Sequence, residues 1–441
     1  MRFSTVRVLC LTIVMCGAAR GARAQDTTFK QGVQLTLRYA PGTRPGIVVL
    51  PISGPHGDSL RAILQRDFDY GDRITIIPTD LPTVAAAAAS DGALINYPLF
   101  AKLGAAGLVQ VTWSSDAVAR VAVHNVSQQK VERTQDFPLA GDPNGEGGAQ
   151  EWRLSVHAMA DELESWITAV RGIAATRILY SSGGRIWQID SDGANSTPLS
   201  GAAMAMSPSW HPRGSHVAYS AMGGTGNWQV ILREAGGATR SLSATPGGQN
   251  ITPVFSPDGT TLVYSHARES GNDLYAVNPF MPDAVRKITV GRGSDNMSPT
   301  FSPDGRQLAF TTNRTGRPEV YISDADGTNA ELLTSFGGDQ SYNSNPDWSP
   351  DGRAIAYQSQ VAGRFQVITI GLRDRSPKRL TSDGINEDPS WAPDSRHIVF
   401  TSNRAGTPQL FVLDVESGRT RQLTHSAVKV RTGDWSLHLK R

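Results

Sequence analysis

Short apolar runs bounded by Gly, Pro and Asp dominate the chain, and they follow two different patterns. Up to about residue 171 the runs at 33–39, 47–52, 74–78, 107–113 and 118–126 are partly β-branched and predict strands. Between them, 59–68, 97–103 and 150–170 predict helices. The last carries Trp152, Val156, Met159, Leu163, Trp166, Ile167 and Val170 at helical spacing, a stripe that needs a sheet to pack against. This part reads as a small α/β domain.

After Gly172 the pattern becomes a repeat. Its anchor is a turn: His211-Pro212-Arg213-Gly214, Ser256-Pro257-Asp258-Gly259, Ser302-Pro303-Asp304-Gly305, Ser349-Pro350-Asp351-Gly352 and Ala392-Pro393-Asp394-Ser395, with prolines 45, 46, 47 and 43 residues apart. Proline presets φ at the second turn position and glycine suits the fourth, as in a type I turn joining antiparallel strands. An aromatic precedes each anchor (Trp210, Phe255, Phe301, Trp348, Trp391) and three further strand-like runs follow. Four strands per period predict propeller blades. Residues 177–180, 185–189 and 197–199 read as a blade lacking its first strand, and Gly433-Asp434-Trp435-Ser436 lies in phase to supply it. The expected fold is therefore a multidomain α/β plus all-β chain: a small N-terminal α/β domain, then a six-bladed β-propeller closed by the C-terminal strand.

Residues 1–24 combine a basic start, a short apolar run and an Ala-x-Ala end, the pattern of a secretory signal cleaved after Ala24. The expected units are thus 1–24, 25–172 and 173–441. Both cysteines, Cys10 and Cys16, fall in the signal, so the exported chain has no disulfide, thiolate metal site or cysteine nucleophile. Met15 before Cys16 argues against a lipidation site. Losing the four signal arginines turns the formal charge of +2 into −2, which gives no basic excess for nucleic acid. No other run is long enough for a membrane span, so no direct membrane insertion is expected.

The signal, the α/β domain ending in a helix, the junction Gly172-x-x-x-Thr176-Arg177-Ile178-x-Tyr180 and six blades with Trp/Phe-Ser-Pro-Asp-Gly turns together resemble the TolB family of the periplasmic Tol-Pal system. The resemblance covers nearly all of the exported chain. It departs at the end, Trp435-Ser-Leu-His-Leu-Lys-Arg441, and in a divergent α/β domain with five alanines at Ala85–Ala89. It implies a periplasmic binding protein without catalytic activity or cofactor, whose propeller mouth docks a Pal-like peptidoglycan-associated lipoprotein. It further implies that the N-terminal segment, here Gln25, Asp26, Thr27, Thr28, Phe29 and Lys30 by position alone, engages a TolA-like inner-membrane-anchored protein. The implied role is outer-membrane integrity and invagination at cell division.

Loops leading into each first strand converge near the central channel, and they carry Gln249, Asn250, Asp295, Asn296, Tyr342, Asn343, Asn345, Asn386, Glu387 and Asp388. These amides, carboxylates and one tyrosine suit a protein partner with a polar or basic insertion; alternatively, Asn and Asp are simply good turn residues. The anchor aspartates recur in blade after blade, which points to turn chemistry. His157 and Asp161 are spaced for an ordinary helical packing contact. No Gly-x-Ser-x-Gly, His-Glu-x-x-His or calcium-loop pattern occurs. The competing reading is an exported propeller enzyme or small-ligand-binding protein that uses the channel.

Overall fold

The computed structural model describes residues 44–79, 95–145, 148–201, 204–242, 248–289, 293–334 and 342–438. The expected export signal, the strand at 33–39 and the segment Gln25–Lys30 lie outside the described residues.

The N-terminal sheet contains β1 (Gly46–Val49), β2 (Thr75–Ile76), β3 (Gly107–Ser115), β4 (Val118–Asn125) and β5 (Lys130–Pro138), in the order β2-β1-β3-β4-β5. β1 runs parallel to both neighbours, and β3, β4 and β5 form an antiparallel meander. On one face pack α1 (Gly57–Tyr70) and α3 (Gly148–Thr168), which bury Leu60, Leu64, Phe68, Val156, Met159 and Leu163 against Ile47, Val109 and Val121. On the other, α2 (Tyr97–Lys102) buries Phe100 against Val48 and Leu108. The stripe on α3 thus finds the sheet it needs. β5 was not anticipated: its sequence is polar because it is an exposed edge strand.

Six four-stranded sheets follow. The first blade joins Val430–Trp435 to Arg177–Ser182, Arg185–Asp190 and Thr197–Pro198, with Val430 opposite Ser182 and Trp435 opposite Ile178. The expected ring closure by the last strand is therefore present. The first strands of the second to sixth blades are Ala205–Trp210, Gln249–Phe255, Asn296–Phe301, Asn343–Trp348 and Asn386–Trp391.

All six first strands break register at the same point, a β-bulge. In five it is built from a left-handed residue followed by proline: Ser207-Pro208, Thr252-Pro253, Ser298-Pro299, Asn345-Pro346 and Asp388-Pro389, with φ between 50 and 52°. A positive φ is unfavourable for these residues, most of all for β-branched Thr252, and its fivefold recurrence marks it as a built feature.

The bulge turns the next side chain towards the neighbouring blade. Asp434 accepts the Trp210 amide (2.6 Å), Thr300 that of Trp348 (3.4 Å), Asp347 that of Trp391 (2.7 Å) and Ser390 that of Trp435 (3.2 Å). Four of the six blade junctions are thus stapled beside the channel by one side chain each.

The α/β domain sits on the face of the ring that carries the anchor turns and outer hairpins. Arg73 pairs with Asp394 (3.1 Å) in the anchor turn of the sixth blade, Arg419 with Asp69 (2.6 Å) and Asp72 (3.2 Å), and Arg66 and Arg153 (2.5 Å) with Asp192. Each first strand runs from the mouth to its anchor turn, so the mouth opens on the opposite face.

Candidate functional site

The mouth is best described from the predicted residues. Asn250, Asn296, Asn343 and Asn386 occupy the same position in four blades, and all four are buried. Their amides serve their own surroundings: Asn250 donates to the Trp228 carbonyl and faces His266 (2.8 Å), Asn296 donates to the Asn272 carbonyl (2.9 Å), and Asn343 donates to Glu319 (2.7 Å). Asn386 donates to Gln366 (2.9 Å) and accepts from Arg404 (3.0 Å). Arg404 stacks over Phe400 and Phe411, and Arg314 repeats the arrangement over Phe310 and Tyr321 while donating to Asn296. These asparagines hold the hairpins that frame the mouth.

The other predicted residues lie nearer the surface. Gln249 accepts from the Trp228 amide (2.6 Å), Asp295 from Asn313 (2.8 Å), and Glu387 faces Arg431 at 3.5 Å. Asn345 and Asp388 bond each other at 2.6 Å on the channel wall. Tyr342 is 38% exposed and meets Phe365 edge-on at 5.2 Å.

Apart from Tyr342, which was predicted, polarity reasoning missed an apolar rim. Met204, Tyr342, Ile385 and Val428 are exposed by 52, 38, 37 and 51%, and each lies one or two residues before a first strand. A side chain held in water at that place in four blades has no packing reason to be apolar. Its signal in the sequence was an apolar residue just ahead of a first strand, next to a predicted polar group at Tyr342-Asn343 and Ile385-Asn386.

Below the rim the channel narrows to a space of about 210 Å³ lined by the Ser/Thr/Asn/Asp-Pro bulges. Burial pushes Asp347 up to about 6 and Asp434 up to about 8 despite the amides they accept, and the charge of Asp347 adds to the rise at Asp434. Both carboxylates are engaged by the ring itself.

A second cluster lies between the domains. His157 is buried, with Nδ1 2.7 Å from Asp67 and Nε2 3.8 Å from Asp192. It therefore pairs with Asp67 of α1, not with Asp161 as its helical spacing suggested. Asp161 instead accepts the amides of Ala174 (2.6 Å) and Ala175 (3.0 Å), fixing the junction to α3. Asp67, His157 and Asp192 have ligand atoms close enough together to hold a metal ion. Arg66 and Arg153 already converge on the same oxygen of Asp192, so a divalent ion would enter beside two fixed positive charges. The set is a charge-matched clamp between domains.

Residues 165–369 and 339–440 match the profile of the TolB beta propeller domain. A Tol-Pal system protein TolB from Chromobacterium violaceum is 29% identical over 225 residues, covering 48% of this chain and 47% of that protein. Its counterpart from Histophilus somni is 26% identical over 216 residues, covering 43% of this chain and 50% of that protein. The chain thus spans about half the length of these relatives. Among solved structures, TolB from Acinetobacter baumannii aligns with a TM-score of 0.75 at 20% identity, over 90% of this chain and 98% of that one. At that identity the likeness speaks for the fold. Among the described residues no helix is long and apolar enough to cross a membrane.

Proposed function

Since the chain belongs to the TolB β-propeller family, we propose that it is a periplasmic scaffold of the Tol-Pal system that binds a Pal-like lipoprotein across the propeller mouth. The observation that carries this reading is the exposed apolar rim of Met204, Tyr342, Ile385 and Val428 around a polar channel. Apolar anchors ringing a polar centre are what a protein partner with a polar insertion requires. In this reading residues 25–172 form the docking module and 173–441 the ring, and the segment Gln25–Lys30 engages a TolA-like protein. The function is binding without catalysis: the channel carboxylates Asp347 and Asp434 are occupied by backbone amides of the ring. Outer-membrane integrity and envelope constriction at division follow as its cellular role.

The test is capture of the soluble domain of a Pal-like lipoprotein by the exported chain and by a variant with Tyr342→Ser, Ile385→Ser and Val428→Ser. Loss of at least about tenfold in affinity is expected, since each anchor removes apolar contact at the interface. Unchanged capture sinks the rim as the docking surface. A chain beginning at residue 44 tests the TolA-like contact separately and should retain capture of the lipoprotein domain.

A further inference from the structure

A cleft of about 500 Å³ opens where α3 meets the first and second blades, on the anchor-turn face and away from the mouth. Gln150 and Leu154 of α3 form one wall, Arg177 and Gln188 of the first blade another, and Arg213 and Arg233 of the second blade a third. Its size falls within the range of small-molecule sites, roughly 300–1,000 Å³.

Its charge sets it apart. Along the rest of the domain interface Arg66, Arg73, Arg153, Arg396 and Arg419 each meet a carboxylate within 4.0 Å. In the cleft, Arg177 is matched by Asp190 (3.0 Å), but the Arg213 guanidinium has no partner among the described residues. Arg233 donates only to the Glu234 carbonyl at 3.1 Å. Glu234, the one acid on the wall, is exposed and paired with neither.

The repeat makes Arg213 more telling. At the same turn position the other anchors carry Asp258, Asp304, Asp351 and Asp394, each accepting the backbone amide two residues on at 3.0 to 3.1 Å. In the second blade an arginine replaces that acid, and His211 Nδ1 accepts a different amide of the turn, that of Arg213 itself (3.2 Å). The blade has exchanged its turn carboxylate for an exposed cation on the wall of a cavity. The matching groove between the third and fourth blades, about 420 Å³, keeps two acids, Asp258 and Asp304, beside a single Arg286.

We infer that the cleft between α3 and the first two blades is a binding site for a small polyanion, a molecule bearing two or more carboxylate or phosphate groups, held by Arg213 and Arg233. Guanidinium forks match either oxyanion bidentately, and Gln150 and Gln188 add neutral polar groups for the rest of the molecule.

Titration calorimetry of the exported chain at low ionic strength, with citrate for the carboxylate class, pyrophosphate for the phosphate class and sucrose as neutral control, tests the site. Saturable binding of either anion, absent with sucrose, is expected, and the arm that binds tells which oxyanion the cleft takes. Arg213→Asp restores the turn acid of the other blades, so it should fold at least as well while weakening binding by at least about tenfold, an attractive charge having become repulsive. Arg233→Gln should weaken it as well, and Arg286→Gln in the matching groove should leave it unchanged. The inference is overturned if neither anion binds, or if Arg213→Asp and Arg233→Gln bind as the unaltered chain does.

Discussion

His397 of the sixth blade and Asp72 of the α/β domain meet at 3.3 Å across the domain boundary, with the other ring nitrogen of His397 held at 2.8 Å by Asp394 of its own turn. Arg44, Arg73, Arg396, Arg419, Glu164 and Asp414 add further charges around the contact. Although burial alone would discharge His397, its two carboxylates win and raise its pKa, while they are themselves lowered by the imidazolium and the arginines.

A pH dependence of the domain contact follows. The raised histidine contributes stability that is complete below about 6.5, the pKa of an unperturbed imidazole, and is lost as the pH rises through its folded value. The lowered Asp72 and Asp394 contribute above about 4 and lose that contribution as the pH falls through their folded values. Thermal stability of the chain should therefore decline on both sides, the histidine carrying the alkaline loss and the two carboxylates the acid loss. His397→Gln should remove the part due to the histidine and lower stability by about 3 kcal/mol near pH 6, as removing one member of a buried ionic set does. Identical pH profiles for the two proteins contradict the assignment.

Asp192 serves the second clamp. Replacing it with alanine removes the carboxylate on which Arg66 and Arg153 converge beside His157, and a loss of about 3–5 kcal/mol is expected. Proteolysis near the junction at residues 169–176 should accelerate as the domains separate. Arg153→Gln, which removes one of two cations, should have a smaller effect.

At the channel, Asp434→Ala deprives the Trp210 amide of its acceptor and should destabilise the ring by roughly 1–3 kcal/mol. Asp434→Asn keeps an acceptor oxygen without a charge. Since burial raises Asp434 to about 8, the acid is increasingly penalised between its unfolded pKa near 4 and that value, and its favourable contribution disappears as the pH rises. The amide should consequently match the acid near pH 4, exceed it at pH 6 and exceed it by more at pH 9 in chemical denaturation.

Arg404→Lys keeps a positive charge but loses the planar stack over Phe400 and Phe411 and the guanidinium hydrogen bonds to Asn386 and Ser402. About 1–2 kcal/mol of stability should go with it. Hydrogen exchange should rise first at the hairpin 402–409, because that is the segment the arginine holds.

The sequence made the propeller, the blade count and the closing strand plain because each depends on repeated local chemistry: Pro at a turn, an aromatic before it, strand-length apolar runs after it. β5 stayed hidden because Lys130–Pro138 is an exposed edge, with no apolar alternation to read. The mouth was legible in position and misleading in role. Asparagine recurs at 250, 296, 343 and 386 because a buried amide ties adjacent hairpins together, whereas the exposed groups are the apolar neighbours Tyr342 and Ile385. The bulges had a visible signal that was not used, a second proline four residues before each anchor proline, as in Pro299 and Pro303. The clamps of His157 and His397 had none, because their partners lie 90 and 325 residues away.

The pairing of Val430–Trp435 with Arg177–Ser182 gives the ring an order of assembly. Five blades are contiguous in sequence and can form as the chain emerges, but the first remains an unpaired edge until the last strand arrives some 250 residues later. Ring closure becomes available only once this final strand is present. Closure then works as a checkpoint: a chain cut short of residue 430 leaves Arg177–Ser182 exposed to any other strand, and so open to aggregation or proteolysis.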